Sequence, residues 1–78
     1  MSNLEKYNQA FLDTFDINIE NLESLEYKKD DCWDSVGHMG VIAAIEDTFS
    51  VSLETEDIID FSSYKKGIEI LKKYGINM

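Results

Sequence analysis

The chain contains no arginine and no proline, and Cys32 is its only cysteine among 78 residues. A single cysteine cannot form an internal disulfide, which excludes a small secreted scaffold held by disulfides. All seven basic residues are lysines, against 16 acidic residues, so the formal net charge is −9 at pH 7. This charge argues against nucleic acid and against anionic membranes as ligands, because both are bound largely through Lys and Arg.

Long apolar stretches are also missing. No segment approaches the roughly 18 apolar residues of a membrane span, and no basic segment followed by an apolar run at the N-terminus marks a signal peptide. We therefore expect a cytoplasmic protein without membrane contact. The length predicts one domain, residues 1–78. A chain this short buries only about 60% of its unfolded surface, which leaves little core for an enzyme cleft.

What is present is helical periodicity, with little of the alternation that marks strands. The pattern predicts an all-α fold with three main helices, one short helix and a long first loop. Leu4, Tyr7, Phe11 and Phe15 form an aromatic-rich stripe on the first helix, which begins at a capping box of Ser2 and Glu5. The predicted helices span residues 3–15, 35–49, 56–61 and 64–74.

The sequence also predicts how the first loop packs and which residues cap the helices. The loop over residues 16–34 contains scattered apolar residues, which predict that it packs on the bundle with Trp33 over its base. A short helical turn near 22–26 is an open alternative. The predicted caps are Asp34 or Ser35 for the second helix, Thr55 for the third, Ser62 or Ser63 for the fourth, and Gly75 after the fourth.

The most informative segment is WDSVGHMGVIAAIEDTF, residues 33–49, which places a serine at the start of an apolar-faced helix. It resembles the modification site of the acyl carrier protein family. That family's pattern is Asp-Ser-Leu, then an apolar period, then a closing acidic-acidic-x-Phe. Helix order, acidity and length agree with it over residues 3–75. The matching parts are Asp34-Ser35-Val36, then Val41, Ile42 and Ile45, then Glu46-Asp47-Thr48-Phe49.

The resemblance implies an acyl-carrier-like four-helix bundle in which Ser35 carries 4′-phosphopantetheine, delivered from coenzyme A by a phosphopantetheinyl transferase. Asp34 would support that modification. The chain would be a monomeric carrier and not an enzyme. It would carry an acyl or aminoacyl group as a thioester and present it to partner enzymes, and its partners would include an acyl-activating ligase, a ketosynthase or an acyltransferase. The N–H groups and dipole of a helix N-terminus favour a phosphodiester. The alternative for Ser35 is an ordinary N-cap.

The resemblance also implies a partner face on the second helix. Gly37 and Gly40 occupy positions where well-known fatty-acid carriers have acidic residues. Each glycine costs about 1 kcal/mol of stability relative to alanine inside a helix, so helix propensity does not explain them. We therefore expect dedicated enzymes of a specialised lipid, polyketide, nonribosomal peptide or surface-glycan pathway to approach the helix there. Neutral drift is the alternative. The predicted partner face consists of Val36, Gly37, His38, Gly40, Ala43, Glu46 and Asp47.

Other chemistry is less favoured by the residues. Ser35 and His38 share a helix face, but no third residue orients them as a nucleophilic pair, so His38 is expected at the surface or in contact with a partner. Cys32 has no partner ligands for zinc. There are two acidic clusters, and both favour diffuse counter-ions over a metal site. They are Asp30-Asp31 with Asp34, and Glu54 with Glu56, Asp57 and Asp60.

Two alternatives stay open at this point. One is an unmodified acidic module that binds basic protein surfaces through residues 20–60. The other concerns cargo, because a cavity within the bundle would favour a fatty acyl group. That cavity would be lined by Phe11, Val41, Ile42, Ile45, Ile59 or Leu71.

Overall fold

The computed structural model describes residues 2–15, 17–28 and 33–78. Within these ranges the chain forms helices and no strand, which confirms the predicted all-α class for the described part. Each predicted α-helix agrees with the structure to within one residue at either end. The α-helices are α1 (Asn3–Thr14), α2 (Ser35–Phe49), α3 (Thr55–Asp60) and α4 (Tyr64–Lys73), with a 3-10 helix at Ile19–Ser24.

Helix α1 begins at the predicted capping box. The Glu5 backbone N–H donates to Ser2 Oγ at 3.1 Å, and the Ser2 N–H donates to Glu5 Oε1 at 3.2 Å. Two of the helix's otherwise unpaired donors are thereby satisfied. Tyr7, Phe11 and Phe15 are buried as predicted, whereas Leu4, in the first turn, is exposed. The apolar stripe therefore turns away from the core at the helix N-terminus.

The core is built around aromatic rings from three parts of the chain. Phe11 lies at its centre, with ring centroids 5.0 Å from Tyr7, 5.4 Å from Trp33 and 5.4 Å from Tyr64. All three contacts are edge-on or tilted, the arrangement that aromatic quadrupoles favour. Burial raises the pKa of the Tyr7 hydroxyl, which donates to the Tyr64 carbonyl oxygen at 2.6 Å. This bond joins α1 to the start of α4.

The described part of the loop between α1 and α2, residues 17–28 and 33–34, packs on the bundle, as its apolar residues predicted; we call this loop the first connection. Leu22, Leu25 and Trp33 are buried, although Ile19 is exposed. The helical turn begins at Ile19, earlier than the open alternative near 22–26. The connection is fixed to the start of α4, because the Tyr27 N–H donates to the Ser62 oxygen at 2.9 Å and the Tyr64 N–H donates to the Leu25 oxygen at 3.1 Å. These two bonds hold Tyr27 beside the bundle.

The ends of α3 and α4 follow the predicted signals with one exception. Thr55 is not the cap of α3; it is the first helical residue, and Glu54 occupies the cap position without a side-chain bond. The Lys66 N–H donates to Ser63 Oγ at 3.0 Å, so Ser63 caps α4. Gly75 follows the helix with φ of 82°, the left-handed conformation expected at C′.

Candidate functional site

The start of α2 separates the roles of Asp34 and Ser35. Asp34 is the N-cap, since its Oδ1 accepts from the Gly37 N–H at 2.9 Å and its carbonyl oxygen accepts from the His38 N–H at 2.8 Å. Ser35 is therefore the first residue inside the helix and not its cap. Because Asp34 occupies the cap position, the alternative in which the Ser35 hydroxyl serves as an ordinary N-cap is wrong. Ser35 is exposed.

The Ser35 hydroxyl instead meets a tyrosine from the first connection. Ser35 Oγ lies 3.2 Å from Tyr27 Oη, and either hydroxyl can donate. The Tyr27 ring packs edge-on against His38, with centroids 4.8 Å apart, and against Trp33 at 6.3 Å. The sequence contained no signal for this contact, because the two residues are eight positions apart and only Ser35 belongs to α2.

His38 lies inside the protein, so the expectation of a surface histidine is wrong. It is only 9% exposed. Trp33 Nε1–H donates to His38 Nδ1 at 3.0 Å, and His38 Nε2 lies 2.7 Å from the Ile58 carbonyl oxygen. Because an indole only donates and a carbonyl only accepts, the bonds together require the tautomer protonated at Nε2. Both ring nitrogens are thus engaged with Trp33 and Ile58 rather than with Ser35.

A shallow groove of about 350 Å³ opens between α2 and α3 beside Ser35. Its walls are mainly apolar, and two of its residues are well exposed, Met39 at 58% and Ile59 at 73%. We call it the Ser35 groove. It is lined by Tyr27, Ser35, His38, Met39, Ile58 and Ile59.

The residues expected to line a cargo cavity are divided between this groove and the core. Ile59 is on the outside, where it lines the Ser35 groove. The other five are at most 1% exposed and belong to the packed core: Phe11, Val41, Ile42, Ile45 and Leu71.

The predicted partner face has an apolar near end. Val36 is 82% exposed, and Gly40, Ala43 and Asp47 are also exposed. Gly37 is half-buried. Glu46 is half-buried as well and has an internal task, since its Oε2 accepts from the Leu53 N–H at 2.8 Å and ties the loop after α2 to the helix.

Gly40 has a packing role that the sequence did not show. A Cβ atom at this position would lie 3.3 Å from Thr14 Cγ2, at the C-terminal turn of α1. That distance is tighter than an ordinary van der Waals contact. The close approach of α1 and α2 therefore gives Gly40 an internal explanation, independent of any partner.

The acidic cluster near α3 is partly neutralised within the chain. Asp57 Oδ1 accepts from Lys73 Nζ at 2.5 Å, and Asp57 Oδ2 accepts from the Tyr74 hydroxyl. The bond from Lys73 and, as the smaller of the two causes, the bond from Tyr74 hold the pKa of Asp57 below its usual range. Among the residues that the structure describes, no three His, Cys, Asp or Glu side chains gather as metal ligands. Asp30, Asp31 and Cys32 lie outside the described residues.

No helix in the described ranges is both long and apolar enough to cross a membrane. No protein-family model matches the chain, and neither a curated protein nor a solved structure matches it significantly.

Proposed function

We propose that this chain is a carrier protein whose Ser35 bears 4′-phosphopantetheine, in an acyl-carrier-like four-helix bundle. One observation carries the proposal. Ser35 is exposed at the first position of α2, and its hydroxyl is released from capping because Asp34 takes that role. A serine that another protein must modify needs such exposure at the end of a secondary-structure element. The Asp-Ser-apolar sequence and the order of helices add the family resemblance.

The residues around Ser35 fit the prosthetic group. A phosphodiester on Ser35 Oγ would lie at the N-terminus of a 15-residue helix, where the dipole favours negative charge. Tyr27 Oη supplies a polar partner at 3.2 Å from the attachment atom. When bound, the group supplies a terminal thiol that holds an acyl or aminoacyl cargo as a thioester.

Attachment would be a phosphoryl transfer carried out by a separate transferase. Ser35 Oγ forms the new bond to phosphorus, the bridging P–O bond of the coenzyme A pyrophosphate breaks, and 3′,5′-ADP leaves. The hydroxyl proton passes to a base of the transferase. Asp34 is held by its bonds to Gly37 and His38, so its remaining carboxylate oxygen is available to orient the transferase or its metal.

The uncharged N-terminal part of the α2 surface favours a role for this carrier in a specialised pathway. The eleven residues from Ser35 to Ile45 include no Asp, Glu, Lys or Arg, and the first charged side chains that follow are Glu46 and Asp47. A partner at the near end therefore meets Val36, Met39 and backbone rather than a row of acids. Such a surface favours a dedicated enzyme with an apolar contact region over a general fatty-acid enzyme that reads acidic side chains.

The test is an intact-mass measurement after incubation with coenzyme A and a promiscuous phosphopantetheinyl transferase. We expect the mass to increase by one phosphopantetheine in the wild type and in Ser52→Ala, which removes an exposed loop serine. Ser35→Ala should gain nothing while remaining folded by circular dichroism. A folded wild type that gains no mass contradicts the carrier proposal. It would favour the unmodified acidic module, which should then bind basic protein surfaces in a salt-dependent manner.

A further inference from the structure

Tyr27 contacts Ser35 at the atom where the prosthetic group would be attached. We propose that Tyr27 is the positioning residue for the group on Ser35. Its hydroxyl holds Ser35 Oγ before modification, and afterwards it donates to the phosphodiester and directs the first part of the arm into the Ser35 groove. This inference rests on the proposed carrier function and adds to it a residue outside the Asp-Ser motif.

Neighbouring residues hold the Tyr27 side chain and its hydroxyl in place. The Tyr27 backbone is bonded to Ser62, and the preceding residue pairs with Ser63 in an isolated antiparallel bridge. The ring rests edge-on against His38 and Trp33, which are themselves joined by a hydrogen bond. A donor held in place in this way loses little conformational entropy when it binds a ligand.

The chemistry of the two hydroxyls changes on modification. In the unmodified protein either Tyr27 or Ser35 can donate across the 3.2 Å separation. Esterification removes the serine proton, so Tyr27 becomes the donor of the pair. A phosphodiester has two non-bridging oxygens that share one negative charge, and a hydrogen bond to a charged acceptor is roughly twice as strong as a neutral one. Lys28 Nζ, 5.7 Å from the centre of the Tyr27 ring, adds positive charge on this side.

The Ser35 groove determines where the arm would go. Ser35 and Tyr27 both line it, and Met39 and Ile59 contribute exposed apolar surface to it. In the arm, the phosphate is followed by an ester oxygen, one CH2 group and then a carbon that bears two methyl groups. That branched segment would be tethered to Ser35, which lines the groove, and it is the occupant we assign. Burying these methyl groups would remove apolar surface of both the arm and the groove from water.

The experiment uses the modified full-length protein and nuclear magnetic resonance. In the wild type we expect contacts by nuclear Overhauser effect between the arm's paired methyl groups and the side chains of Met39 and Ile59. In Tyr27→Phe those contacts should be lost, and the ³¹P resonance should shift towards its position in the denatured modified protein. Tyr27→Phe removes only an exposed hydroxyl, so its unfolding midpoint should stay near that of the wild type.

Tyr74→Phe is the matched control. It also removes one tyrosine hydroxyl, but that hydroxyl bonds Asp57 and the Glu54 N–H, away from Ser35. We expect it to lower stability and leave the ³¹P resonance and the arm contacts unchanged. Unchanged resonance and contacts in modified Tyr27→Phe would overturn this inference while the carrier function stands. Absence of arm contacts in the wild type would overturn it too and leave the groove to an apolar side chain of a partner. Failure of Ser35 to gain mass would overturn the carrier function first.

Discussion

Trp33 and His38 form a buried pair that joins the first connection to two helices. The indole N–H of Trp33 donates to His38 Nδ1 at 3.0 Å, and the two rings are nearly parallel at 6.0 Å. The opposite nitrogen of His38 donates to the Ile58 carbonyl oxygen in the last turn of α3 at 2.7 Å. His38 therefore links the connection, α2 and α3 directly beneath the Ser35 groove.

Removing the His38 side chain should destabilise the protein. His38→Ala leaves the buried indole N–H and the Ile58 carbonyl without partners, and one unpaired buried polar group costs about 1–3 kcal/mol. We expect a loss of at least that size in the free energy of unfolding, measured in urea. Met39→Ala, at the exposed next position, should cost less than about 0.5 kcal/mol. Equal losses in the two variants would show that the Trp33–His38 pair does not support the fold.

Gly67 should tolerate no side chain. A Cβ atom there would clash with the Phe61 ring and the Tyr7 hydroxyl, both of which are fully buried. Gly67→Ala should therefore lower the free energy of unfolding by about 2 kcal/mol, even though alanine favours a helix, because overpacking a dense core outweighs propensity. Thermal denaturation followed by circular dichroism measures this. A variant as stable as the wild type would mean that α4 can move away from α1 at little cost.

The effect of replacing Gly40 by alanine on stability should depend on the methyl group of Thr14. The contact at 3.3 Å is made by the Thr14 methyl, whereas the Thr14 hydroxyl donates to the Ala10 carbonyl at 2.8 Å. Thr14→Ser removes the methyl and keeps the hydroxyl. Gly40→Ala should then gain about 1 kcal/mol of helix propensity in the Thr14→Ser background and clearly less in the wild type. Equal gains would indicate that packing against α1 does not explain this glycine.

The Asp57–Lys73 pair should make stability depend on pH. The pKa of Asp57 is lowered by the hydrogen bonds from Lys73 and Tyr74, so its contribution is complete above the usual Asp range and is lost as pH falls through the lowered pKa. The bond to Asp57 raises the pKa of Lys73, so that contribution is complete below the usual Lys range. The stabilising contributions of Asp57 and of Lys73 are therefore both present at neutral pH.

Asp57→Asn tests this dependence. The variant should be less stable than the wild type at neutral pH, and the difference should shrink on acidification until it disappears below the folded-state pKa of Asp57. Urea denaturation at a series of pH values measures it. The control is the double variant Lys73→Met, Tyr74→Phe, which lacks both donors to Asp57. In that double variant, Asp57→Asn should change the free energy of unfolding little. A difference that stays constant with pH would exclude the pair as its source.

Local chemistry was enough to predict the helices. Ser2 with Glu5, Ser63 and Gly75 act at their predicted positions because a cap depends on neighbours only a few residues away. Burial of Phe11 and Trp33 also followed from hydrophobic patterning. Thr55 was assigned wrongly because Glu54 and Thr55 both stand at the boundary and no side-chain bond distinguishes them.

The candidate site was predicted only in part. Ser35 and Asp34 were identified from a short contiguous motif, but the sequence left two residues as candidates for the N-cap. Backbone conformation decided for Asp34, since its carboxylate reaches the Gly37 N–H. Tyr27 was missed because its contact with Ser35 depends on how Leu25 and Tyr27 are bonded to the start of α4.

By itself, the sequence determined the all-α class, the helix positions, the acidic charge and the exposed serine at a helix start, because these depend on periodicity, capping and composition. Tertiary structure alone decided that His38 is buried against Trp33 and Ile58, that Gly40 faces Thr14, and that Tyr27 reaches Ser35. Each of these contacts joins residues that belong to different parts of the fold. Their distances are set by how the aromatic core packs, which no local pattern encodes.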